Sequence, residues 1–133
     1  IMYYNIGINI TKDKIMNNKL NELNLLNNIS TMVNCVNPTI ENLNIFLEEN
    51  INDNILLNNA SVIKKVKKLL CKHIIKVDEG IALIEFNSIT AKLLWEAMPC
   101  HVNKGYVGGA FRLKCIEAFY PYNTPEAFGV YRI

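Results

Sequence analysis

The chain is expected to fold as an α+β domain, because the two halves of its sequence carry different hydrophobic periods. Over residues 11–71 apolar side chains return at helical spacing, as on one face of a helix. Over residues 72–133 short β-branched and aromatic runs alternate with turn residues. No Gly-, Ser- or Pro-rich linker divides them. One domain spanning 1–133 is therefore expected, with a helical part (11–71) and a β-rich part (72–133).

The first element expected is a strand. Met2, Tyr4, Ile6, Ile8 and Ile10 alternate with Tyr3, Asn5, Gly7 and Asn9, a period of two. Thr11 then offers a hydroxyl cap for a helix over about 12–32. Its buried stripe is expected at Met16, Leu20, Leu23, Leu26 or Asn27, and Ile29 or Ser30, widened by Leu25 and Val33. Asn37-Pro38 opens a second helix: Asn caps, Pro suits the first position, and Glu41 sits at the positive end of the dipole. Ile40, Leu43, Phe46 and Leu47 give it an apolar stripe. Residues 50–59 read as a loop with one helical turn at Ile55–Leu57. Ser61 opens a third helix that turns Val62, Val66, Leu69 and Leu70 inward and lysines outward.

The β-rich part begins with a hairpin. His73–Val77 and Ile81–Phe86 flank the turn Asp78-Glu79-Gly80. Asn87 or Ser88 caps a helix over 89–98, which Pro99 ends. Tyr106–Tyr120 reads as extended structure, bulged at Gly108-Gly109, and Phe128–Arg132 as a last strand. The expected order is β-α-α-α-β-β-α-β-β: an N-terminal strand and helices packed on a small, mostly antiparallel C-terminal sheet with one helix.

Composition narrows the function classes. The chain has 133 residues, half of them hydrophobic and a fifth charged, which suits a folded domain able to bury its own core. No apolar run approaches the roughly 18 residues of a membrane span, and the start lacks a basic stretch followed by an apolar core. A soluble, intracellular protein without membrane contact is expected. The four cysteines are scattered, which fits free buried thiols better than a disulfide framework. Residues 1–59 carry net charge −3 and residues 60–133 net +5. Seventeen of the twenty asparagines lie in residues 1–59, matching A+T-rich coding bias and weakening inferences drawn from Asn and Lys alone.

No catalytic or metal-binding constellation stands out. Cys100-His101 pairs a thiol with a base, but neighbouring residues of an extended chain point to opposite sides, so His101 is badly placed to activate Cys100. Gathering Cys71, His73, Cys100 and His101 around zinc needs spacings tighter than the usual paired ligands. Gly105-Tyr-Val-Gly-Gly109 would cradle phosphate only if a helix followed, and a strand is expected there. Neither a metal nor a cofactor is expected.

Two surfaces remain. Lys64, Lys65, Lys67, Lys68 and Lys72 form a basic patch that could follow nucleic-acid phosphates, although no aromatics interleave with it. Phe119-Tyr120-Pro121-Tyr122 sets aromatics around a proline, a composition that anchors protein interfaces.

Residues 74–133 also carry a resemblance. The strand Ile81–Phe86, the helix Thr90-Ala-Lys-Leu-Leu-Trp-Glu-Ala-Met-Pro99, Gly105-Tyr-Val-Gly-Gly-Ala-Phe111 and Ala118-Phe-Tyr-Pro121 follow one another as in the small cyclophilin-like barrel family of prokaryotes, which they resemble. Tyr106-Val107 stands where that family has Trp, and Tyr122 where it has a second Pro. The resemblance implies a shallow pocket lined by Trp95, Tyr106, Phe111 and Tyr120, for a small ligand or a proline peptide, and carries over no catalytic residue. The leading expectation is a non-enzymatic protein-interaction module, a subunit or homo-oligomer, with Tyr122 joining those four as binding residues. The alternatives are the cyclophilin-like ligand domain and a nucleic-acid-binding subunit using Lys64–Lys72.

Overall fold

In the computed structural model, helices cover both faces of a four-stranded antiparallel sheet. The structure describes residues 2–35, 37–99, 105–120 and 127–133. The elements run α1 (Met2–Val33), α2 (Ile40–Leu47), α3 (Ala60–Leu70), β1 (Cys71–Asp78), β2 (Ile81–Phe86), α4 (Ile89–Ala97), β3 (Gly105–Tyr106), α5 (Gly109–Phe119) and β4 (Phe128–Arg132). A single π turn (Glu48–Asn52) and a short 3-10 helix (Ile55–Asn58) lead from α2 to α3. The class is α+β, as expected.

Two elements differ from the sequence expectation. Residues 2–10 are the first turns of α1, not a strand, and Thr11 lies inside that helix. A strand there would leave its backbone groups without a ladder, whereas a helix bonds them internally. Residues 109–119 form α5 where extended structure was expected, so the sheet carries two helices from the C-terminal half. Ala110, Arg112, Leu113, Lys114, Glu117 and Ala118 are good helix formers, and that propensity prevails over the aromatic content.

The other elements follow local chemistry. Thr39, rather than Asn37, caps α2 by accepting from the Asn42 N–H. Asn59, rather than Ser61, caps α3 by accepting from the Ser61 N–H. Ser88 caps α4 through the Ala91 N–H. Gly80 takes φ +67° in the β1–β2 turn, a conformation that favours glycine.

The sheet order is β1-β2-β4-β3. Side chains of β2 alternate between two apolar clusters. Ile84 and Phe86 face α1, α3 and α4, where they join Leu25, Ile29, Val66, Leu70, Leu94 and Trp95. Leu83 faces the other way, where α5 supplies Ile116 and β4 supplies Phe128 and Val130. The first cluster therefore joins side chains from both halves of the sequence. Thr90, buried within it, donates its hydroxyl to the Cys35 carbonyl at 3.1 Å, which removes the penalty of an unpaired polar group.

Candidate functional site

The basic patch is partly neutralised by its neighbours. Lys65 pairs with Glu22 of α1, which ties the two helices together. Lys67 places its ammonium 5.6 Å from the centre of the Trp95 ring, a cation–π contact. Lys72 is not on α3: the helix ends at Leu70, and Lys72 in β1 pairs with Glu85 at 3.3 Å. Lys64 and Lys68 are exposed and make no ion pair among the described residues. A shallow groove of about 330 Å³ runs beside Asn58, Ala60, Ile63, Lys64 and Lys67. Two unpaired cations are a small footprint beside the several phosphate contacts of a nucleic-acid binder.

The aromatic residues fall on both sides of the sheet. Trp95 is 2 % exposed, packed edge-on to Phe86 at 5.7 Å and beside Tyr131. Its indole N–H has no hydrogen-bond partner among the described residues. The Tyr131 ring lies back over Gly129, where a Cβ would collide with it. Its hydroxyl donates to Glu96 at 2.9 Å, and burial together with this carboxylate holds its pKa well above the usual value. Tyr120 sits on the opposite side, at the end of α5. It leans on Phe128 at 4.2 Å and donates its hydroxyl to Glu85 at 3.0 Å. Burial, then Glu85, raises its pKa.

Trp95 therefore belongs to one apolar cluster, and Tyr120 packs against the other. Phe111 is on α5, half-exposed, and Tyr106 is in β3, paired in register with Tyr131. Tyr122 lies outside the described residues. Glu85 accepts from Tyr120, the residue that follows α5, and pairs with Lys72 of β1.

Burial pushes the Cys71 thiol up to about 11, against a smaller opposing pull from Lys67, so it stays protonated at neutral pH. Cys35 is exposed and Cys115 half-buried, and all three are free thiols. Among the described residues, no group of three or more His, Cys, Asp or Glu could hold a metal. Cys100 and His101 lie outside the described residues. Gly108-Gly109 is not a bulge but the entry to α5, so a helix does follow the glycines; Gly108 supplies no side-chain cap.

Two surfaces were missed. The first is on α1, which buries Leu25, Ile29 and Val33, while Met16 (67 % exposed), Leu20 (55 %) and Leu23 (55 %) face solvent. Leu23 and Leu25, two positions apart, point to nearly opposite sides of the helix. The expected stripe merged two faces, and its leading members belong to the outer one. The second is a groove of about 270 Å³ between α1 and the π turn and 3-10 helix. Asn18, Asn21, Asn24 and Asn28 line one wall, and Glu49, Asn50, Asp53 and Asn54 the other. Asn28 donates to Asn50 across it at 3.0 Å, and Asn50 donates in turn to the Phe46 carbonyl. Spacing of three and four residues along α1 was the available signal, hidden by the abundance of Asn.

Among the described residues no helix is long and apolar enough to cross a membrane. No protein-family model matches the chain, and no curated protein or solved structure matches it significantly.

Proposed function

We infer that the chain is a non-enzymatic protein-interaction module, a subunit of a larger assembly, with α1 as its docking element. The observation that supports this is the second apolar face of α1. Met16, Leu20 and Leu23 recur at i, i+4 and i+7, the spacing by which a helix anchors in a partner's groove. The inner face of the same helix is already used by Leu25, Ile29 and Val33, so the outer stripe serves no packing within the described residues. The titratable groups point the same way: the Cys71 thiol is protonated, and Tyr120 and Tyr131 are held neutral against carboxylates as structural hydrogen bonds. An intracellular setting suits the exposed free Cys35, which an oxidising compartment would tend to pair.

The test is the double variant L20E/L23E. Light scattering and capture from native extract should show an assembly with the wild-type chain and its loss with the variant. The unfolding midpoint should stay nearly unchanged, since both sites are exposed. A wild-type chain that stays monomeric, with the same proteins recovered by wild type and variant, would sink the reading.

A further inference from the structure

We propose that the amide-lined groove between α1 and the π turn binds an extended stretch of polypeptide carrying a lysine or arginine. This goes beyond the docking role of the outer α1 stripe and stands on separate residues. A side-chain amide offers two donors and a carbonyl acceptor, the complement a peptide unit needs. Asn18, Asn21 and Asn24 make no side-chain hydrogen bond among the described residues, so their amides are open to a ligand. Asn28 and Asn50 are already joined across the groove and fix its far end. From Asn18 to Asn28 the helix rises about 15 Å, at 1.5 Å per residue. An extended chain advancing about 3.3 Å per residue would cover that length with four to five residues.

The second wall supplies charge. Glu49 and Asp53 are four residues apart, both exposed, and neither makes an ion pair among the described residues. They suit a guanidinium or ammonium on the ligand, and the net charge of −3 over residues 1–59 would favour its approach. Ile55, 79 % exposed at the rim, offers an apolar contact beside them. The lining contains no aromatic ring, so it lacks the stacking platform that sugars and nucleobases use.

The experiment uses the full chain, isotopically labelled, and two blocked nonapeptide libraries randomised except at the centre, one fixed as Arg and the other as Glu. The Arg library should shift the side-chain amide signals of Asn18, Asn21 and Asn24, and the Glu library should leave them in place. The variant N18A/N21A should weaken Arg-library binding at least fivefold with an unchanged unfolding midpoint. Independently, E49Q/D53N should abolish the preference for Arg over Glu. L20E/L23E should bind the Arg library normally, so the outer stripe and the groove can fail separately. Amide signals that move with neither library, that move equally with both, or that move as far with a maltooligosaccharide, would overturn the proposal.

Discussion

The two faces of the sheet are built very differently. Against one, α1, α3, α4 and the π and 3-10 segments pack on Ile84, Phe86 and Tyr131 of the sheet in a single cluster of sixteen buried residues, counted over the described residues. Against the other, α5 covers a cluster of five, to which it contributes one fully buried side chain, Ile116. Phe111, Leu113 and Phe119 of the same helix remain at least 39 % exposed. Opening costs scale with the apolar surface returned to water, so the α5 face should open locally before the α3/α4 face does. Global stability belongs to the larger cluster.

Large-to-small substitutions test that contrast most severely. Ile84 is fully buried in the larger cluster, and I84A should cost about 3–5 kcal/mol in denaturant unfolding. I116A should cost about 2 kcal/mol, because α5 can settle into the space left behind. Equal costs at the two sites would break the comparison.

Alkaline titration sharpens it. The Cys71 thiol rises from 9.0 to about 11 on folding because burial disfavours its charged form. The unfolded chain therefore releases this proton first, and the stability is fully present below pH 9 and is lost as pH rises through about 11. Tyr131 acts in the same sense. C71A should flatten the decline measured between pH 9 and 11. Cys35, which is exposed, should be alkylated at pH 8 much faster than Cys71.

The smallest effect is expected at the link between α5 and the sheet. Y120F removes the hydroxyl that bonds Glu85, and Glu85 keeps its Lys72 partner. The loss should be about 1 kcal/mol in unfolding. Hydrogen exchange should rise in α5 and remain unchanged in α3. Faster exchange in both helices would mean that α5 does not open as a separate unit.

Local signals were legible wherever a short motif carried its own geometry. The hairpin turn at Asp78-Glu79-Gly80, the Ser88 cap and β4 at Phe128–Arg132 all lie where the residues indicated. The inward set Val62, Val66 and Leu70 was legible too, because lysines fill the other side of α3. Period-two alternation misled at residues 2–10, since alternation describes a strand only if a neighbouring strand pairs with it. At α5, Phe111, Cys115 and Phe119 stand four apart, a helical spacing obscured by the aromatics and the paired glycines. The candidate surfaces were less legible. Of the five lysines, two met carboxylates from α1 and β2, partners 43 and 13 positions away in the chain.

By itself the sequence determined the class, the hairpin, four of the five described α-helices and the last strand, because capping, turn chemistry and hydrophobic period act within a few residues. Only tertiary structure decided which of the two stripes on α1 meets the core, which side of the sheet takes Trp95 and which takes Tyr120, and which lysines stay unpaired. Those outcomes depend on contacts between elements far apart in the chain, where burial and pairing choose among faces that local spacing leaves equivalent.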